Sequence, residues 1–210
     1  ARAITVLSIN DTYRIDGDAA SGRGGLARVR TLRRTLEAEG RDVLVLHAGD
    51  FLFPSFLSRT TRGAHMVDVL GWLDGDPAAV DERMLVTFGN HEFDKGDEED
   101  APTLTARIDE SGFRWVSSNI AWKVGPDGAP MIASERLVED ALVEVGDVWV
   151  GVFGLTLPFT TPAYIDGYAD LVDTARQRTA ALRARGAELV VGLTHQDLAG
   201  DIALLEALGA

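Results

Sequence analysis

Residues 87–94 read Thr-Phe-Gly-Asn-His-Glu-Phe-Asp. Asn90, His91 and Asp94 place an amide, an imidazole and a carboxylate close together. They follow the apolar run 84–86, Met-Leu-Val, whose residue types predict a buried strand. Polar groups at the end of a buried strand need partners, because leaving them dry and unpaired is costly. Three further polar residues occupy equivalent positions. Asp11 follows the run 4–9, Asp50 follows 43–46, and His195 follows 188–193.

Asp11, Asp50, Asn90 and His195 amount to two carboxylates, an amide oxygen and an imidazole. This mixture of hard oxygen and borderline nitrogen donors suits Mn, Zn, Fe, Co or Ni better than Ca. A carboxylate can bridge two such metals about 3.5–4 Å apart, and the pair can clamp the attacking and leaving oxygens of an in-line displacement. A hydroxide held between two cations is nucleophilic at neutral pH, so phosphate-ester hydrolysis is the reaction best served. Each residue alone has an ordinary explanation: Asp11 and Asp50 as turn or N-cap residues, Asn90 as a turn residue, His195 as a donor to a carbonyl. Four coincident strand-end placements favour a shared site. His47 and His65 are read as structural, the group Phe51, Phe53 and Phe56 as core, and the acidic run 97–100 as a solvated face.

The elements that must position these residues follow from periodicity. Strands are expected at 4–9, 43–46, 84–88, 113–116 and 188–193, with a hairpin of 142–145 and 148–153 around Gly146-Asp147. Helices are expected where Leu26, Val29, Leu32 and Leu36 share a face, where Met66, Val69, Leu70 and Leu73 recur, around Leu104 and Ile108, from Leu171 to near Gly186, and over Leu198, Ile202, Leu205 and Leu208. Strand–loop–helix units repeated along a chain imply a layered α/β fold with parallel pairing, and sites in such sheets form at the C-terminal strand ends.

Composition narrows the function classes. Among 210 residues, 33 are acidic and 20 basic, a formal net charge of −13. Such a surface repels phosphodiester backbones and anionic membranes, so no nucleic-acid polymer is expected as partner. The chain has no cysteine, which excludes disulfides, thiolate metal sites and a Cys nucleophile. No apolar run reaches transmembrane length. The chain opens on Ala1 without a recognisable signal peptide, consistent with a leader or tag removed. No internal repeat or linker is visible, and residues 1–210 read as one domain.

The motifs Asn10-Asp11-x-Tyr13, Gly49-Asp50 with Ser55, Gly89-Asn90-His91-Glu92-Phe93-Asp94 and Thr194-His195 occur in that order, each at a strand end. In this the chain resembles the calcineurin-like metallophosphoesterases, most closely their 5′-nucleotidase/2′,3′-cyclic phosphodiesterase branch. The resemblance implies a four-layer α/β/β/α sandwich and two divalent transition metals. It also implies a small phosphate ester, a nucleotide, as substrate. Asp11 would ligate the first metal, Asp50 would bridge both, and Asn90 and His195 would hold the second. His91 would donate to a phosphoryl oxygen in the transition state, with Asp94 orienting its ring. The branch also points to export or the cell surface over the cytoplasm.

Two departures stand out. Tyr13 occupies the position where the family usually has His. A phenol is a poorer ligand, since its unperturbed pKa is about 10, so Tyr13 either coordinates as phenolate, points away or leaves that corner to water. The Gly-His-x-His segment of the family would lie downstream of Ala210, so the domain is expected to be incomplete at its C-terminus. Both departures motivate an alternative: a non-catalytic binding or scaffold domain with the same fold.

Overall fold

The computed structural model describes residues 3–209. Its first half contains β1 (Thr5–Ile9), α1 (Leu26–Ala38), β2 (Val43–His47), α2 (Ser58–Thr61), α3 (Ala64–Leu70), β3 (Met84–Val86), α4 (Ala101–Asp109) and β4 (Arg114–Val116). The second half contains β5 (Ile120–Trp122), β6 (Leu137–Val138), β7 (Asp140–Val145), β8 (Val148–Leu155), β9 (Ile165–Tyr168), α5 (Leu171–Ala184), β10 (Leu189–Thr194) and α6 (Leu198–Leu208). Strands β1, β2, β3, β4 and β6 form one sheet in that order, every pair parallel. A second sheet has the order β10-β8-β7, with β10 parallel and β7 antiparallel to β8. Strands β5 and β9 form a separate antiparallel pair.

Alternation within the strands creates the layers. In β2, Val43 and Val45 pack against Leu26, Met66, Leu70 and Ile108 of the helices on one side. Leu44 and Leu46 face the other way and meet Val143, Val150, Val152 and Leu193 of the second sheet. Burial on both faces is what a central parallel strand requires. In β8, Val150 and Val152 point into that inter-sheet core, while Phe153 and Leu155 pack outward with Ala175, Leu182 and Leu204 of α5 and α6. The result is the expected four-layer order of helix, sheet, sheet, helix.

The loops that carry the candidate residues are anchored by aromatic rings. Phe51 follows Asp50, Phe88 precedes Gly89, and Phe93 follows Glu92; all three are buried. Trp115 lies 5.1 Å from Phe51 and 4.8 Å from Phe88, centroid to centroid, and Phe88 stacks on Phe93 at 5.4 Å. Truncating a buried aromatic of this kind costs roughly 3–5 kcal/mol.

Several expectations need correction. In α1 the buried face runs through Arg33 rather than Leu32, which is half exposed; Arg33 pairs with Asp81 and Glu37 and is buried with its charge matched. In α6 it is Leu204 that is buried, while Leu198, Ile202 and Leu205 face outward. Phe51 and Phe53 are core, but Phe56 is 84% exposed. The run 97–100 is not uniformly solvated, because Asp100 is buried in an ion pair with Arg62 at 2.7 Å. The strand expected at 84–88 ends at Val86, and periodicity gave no sign of the pair β5 and β9.

Candidate metal centre

Parallel pairing brings the C-terminal ends of β1, β2 and β3 to one rim. Ladder bonds continue past the strands: Ala48 N–H donates to Ile9 O at 2.8 Å, Asp11 N–H to Gly49 O at 3.1 Å, and Thr87 N–H to His47 O at 3.0 Å. The first two place the Asp11 turn directly beside the Gly49-Asp50 turn. Both aspartates are left-handed, with φ of 52° at Asp11 and 65° at Asp50. Asp tolerates that region better than most residues, yet it carries a strain of order 1–3 kcal/mol that collects at functional sites. Gly49 and Gly89 stand back to back. A Cβ on Gly49 would lie 2.2 Å from Gly89 N, and one on Gly89 would lie 2.1 Å from Asp50 Oδ1.

Glu92, given no role of its own by the sequence reading, locks the two loops together. Its buried carboxylate accepts N–H bonds from Asp50 (2.8 Å), Phe51 (2.8 Å), Leu52 (3.1 Å) and Gly89 (2.7 Å). Burial pushes its carboxyl above the ordinary range, against the pull of the N–H donors. The available signal was an acidic residue inside the otherwise apolar frame of Phe88 and Phe93.

The convergent groups come from both sheets. Ligand atoms of Asp11, Asp50 and His195 all lie within 4.8 Å of one another. His195 arrives from the end of β10. Its Nδ1–H donates to Ala48 O at 2.7 Å, and Nε2 lies 3.3 Å from Asp50 Oδ2. That contact calls for a proton or a cation between nitrogen and oxygen. With a proton there, the Asp50 bond, opposed by burial, lifts the His195 imidazole to about 9. Burial alone would raise the Asp50 carboxyl, but bonds from His195, His91 N–H and Tyr13 outweigh it and leave it below the usual range.

The remaining carboxylate oxygens are also engaged. Asp50 Oδ1 accepts from His91 N–H at 2.8 Å. Tyr13 Oη is hydrogen-bonded to Asp11 Oδ1 at 2.6 Å and to Asp50 Oδ2 at 2.8 Å. Asp11 Oδ2 accepts from Asn10 Nδ2. Burial, then the bonds to Asp11 and Asp50, hold the Tyr13 phenol far above its ordinary value. Its ring meets His91 edge-on at 5.5 Å. His91 Nδ1–H donates to Asp94 Oδ1 at 2.9 Å, which leaves Nε2 for another partner. Asp94 closes the short 3₁₀ turn His91–Phe93 at its C-terminal end and does not cap a following helix. Asn90 opens the same turn, half-buried, with its amide side chain unpaired among the described residues.

His47 lies beneath the centre and is fully buried. Its Nδ1 accepts Gly49 N–H at 3.1 Å, so Nε2–H donates to Thr12 Oγ1 at 2.7 Å. Burial drives its pKa down to about 3. Both nitrogens are used, and the ring ties the Asp11 turn to the Asp50 turn. His65 is bonded to Thr61 Oγ1 at 2.7 Å. Neither of these two histidines belongs to the cluster.

The donor set of the cluster fits a transition metal. It offers two carboxylates and an imidazole whose other nitrogen is pinned to a backbone carbonyl, the usual outer-shell arrangement for a metal-binding histidine.

Comparison with known proteins agrees with the fold. The chain belongs to the calcineurin-like phosphoesterase family, whose model matches residues 4–199. It is similar to the probable 5′-nucleotidase of Treponema pallidum (strain Nichols), 25% identical over 91% of this chain and 32% of that protein. It is also similar to the snake venom 5′-nucleotidase of Crotalus adamanteus, 28% identical over 94% of this chain and 34% of that protein. Among solved structures, the 5′-nucleotidase precursor from Thermus thermophilus superposes with a TM-score of 0.77 at 25% identity, over 96% of this chain and 38% of that one. The chain thus spans about a third of the length of the curated relatives it matches. No helix among the described residues is long and apolar enough to cross a membrane.

Proposed function

We propose that this chain is the metal-binding catalytic domain of a phosphohydrolase that cleaves nucleotides or related small phosphate esters. The observation that carries this reading is the meeting of Asp11, Asp50 and His195 within 4.8 Å, from three strand ends in two sheets. Asp50, His195 and the amide of Asn90 are the groups that would hold a divalent transition metal, with the Asp11 carboxylate beside them. Such a cation, when bound, supplies Lewis-acid polarisation of a phosphoryl oxygen.

The other roles belong to the chain's own residues. His91 is positioned twice, through its backbone N–H to Asp50 and through Nδ1 to Asp94. With both ring nitrogens protonated, Nε2–H would donate to a phosphoryl oxygen as charge builds. A single preorganised donor of this kind is worth about 10²–10³ in kcat. Glu92 and His47 keep the loops in register without touching substrate. The names of the nucleotidase relatives favour a nucleotide as the ester, and the venom relative favours export.

The experiment is phosphate release from a nucleoside monophosphate by the intact protein supplied with Mn²⁺. Activity that survives the Asp50→Ala, Asn90→Ala double substitution defeats the reading. The scaffold alternative draws on Tyr13, whose hydroxyl occupies both aspartates. Stoichiometric transition metal in the purified protein, together with phosphate release, would remove it.

A further inference from the structure

We infer that Tyr13 is a hydrogen-bond bridge standing where a cation shared by Asp11 and Asp50 would otherwise sit, so that the centre takes up a single metal ion on its His195 side. The inference deepens the hydrolase reading and rests on its metal site.

Space and charge at the Asp11 corner are both already taken up by Tyr13. The Tyr13 hydroxyl oxygen lies 2.6 Å from Asp11 Oδ1 and 2.8 Å from Asp50 Oδ2. A metal bound to both oxygens would approach each to about 2.0–2.2 Å. Hydroxyl and ion would therefore compete for the same small volume. The phenolic proton already engages the two anions there, and a charge-assisted bond is roughly twice as strong as a neutral one. Asp11 is further committed to Asn10 through its second oxygen.

The opposite corner is different in kind. His195 Nε2 faces Asp50 Oδ2 at 3.3 Å, on the oxygen whose other contact is the Tyr13 hydroxyl at 2.8 Å. No hydroxyl among the described residues bridges His195 to Asp50. An ion arriving there replaces the proton between His195 and Asp50 and can leave the Tyr13 bond to Asp11 in place. An ion arriving at the Asp11 corner must expel a side chain that packs its edge against His91 at 5.5 Å.

The test is Mn²⁺ binding to the intact protein, followed by calorimetry and by electron paramagnetic resonance, without reference to turnover. The expected result is about one equivalent with the spectrum of an isolated ion, against the pair about 3.5–4 Å apart of dinuclear centres. Tyr13→His should admit a second equivalent and produce a spin-coupled spectrum. Two coupled ions in the unsubstituted protein, or no ion at all, would overturn the inference. So would a Tyr13→His protein that still binds only one. Tyr13→Phe, which keeps the ring and drops the hydroxyl, checks that folding is not the cause: by far-ultraviolet circular dichroism it should match the parent. One ion without phosphate release removes the hydrolase reading and leaves this inference standing. Two ions with phosphate release do the reverse.

Discussion

His47 and His195 lie against the same two turns, yet they are held in opposite protonation states. His47 is fully buried, and its partners are a backbone N–H and the Thr12 hydroxyl; its pKa falls to about 3. His195 is largely buried, but its partner is the Asp50 carboxylate; its pKa rises to about 9. Burial lowers both. What differs is the charge of the partner in bonding distance, and that difference separates a residue that braces the loops from the one proposed to exchange a proton for a metal.

The two histidines predict two separate pH windows. For His47 the folded value lies below the unfolded value of 6.5. The unfolded chain therefore binds the extra proton, and stability is lost as pH falls from 6.5 toward about 3, by on the order of 3–5 kcal/mol. Urea unfolding at stepped acidic pH should show this loss, and His47→Gln should flatten it; an unchanged slope in the variant would assign the acid sensitivity to other groups. For His195 the folded value lies above the unfolded one. The Asp50 pair stabilises the metal-free protein fully below 6.5, and that contribution disappears as pH rises through about 9.

The next effect in size is on metal affinity. His195→Ala should weaken Mn²⁺ binding by more than about 10²-fold, beyond the 10–100-fold typical of losing an outer-shell partner. His47→Gln should change it by less. Equal losses in calorimetry would erase the distinction between the two residues. Because Mn²⁺ must displace the Nε2 proton, affinity should rise with pH between 6.5 and about 9, with proton uptake by buffer.

Smaller effects sharpen the picture around His91. His91→Ala should lower kcat about 10²–10³-fold with Mn²⁺ affinity retained. Asp94→Asn, which leaves a weaker orienting partner, should cost less than His91→Ala. At the low end, Phe56→Ala should leave stability within about 0.5 kcal/mol, as expected for an exposed side chain. A large loss there would place Phe56 in an unseen contact.

The legible part of this centre was the set of residues that directly follow apolar runs. Asp11, Asp50, Asn90 and His195 each come after such a run, and three of them, Asp11, Asp50 and His195, are brought together by strand ends of the two sheets. The alternation of strands and helices made a layered α/β fold with parallel pairing readable, whereas the four-layer order was only what the family resemblance implied. What escaped was set by partners distant in sequence. Arg33 could be buried only because Asp81 meets it across 48 positions. Glu92 looked like one more acidic residue until the N–H groups of 50–52 and Gly89 converged on it. Strand β5 has three residues and pairs with β9 at Ile120 and Tyr168, too short and too remote for periodicity to register. Tyr13 was expected to coordinate as phenolate, point away or leave its corner to water, and its hydrogen bonds to both Asp11 and Asp50 were not among those alternatives.

The proposed hydrolase depends on the meeting of Asp11, Asp50 and His195 being a working metal centre. The most direct measurement is phosphate release from a nucleoside monophosphate by the intact protein, first stripped with chelator and then titrated with Mn²⁺. Release should stop on stripping, return in step with bound Mn²⁺, and not return in Asp50→Ala. Release that continues after complete metal removal, or that persists in Asp50→Ala, would contradict the proposed metal centre.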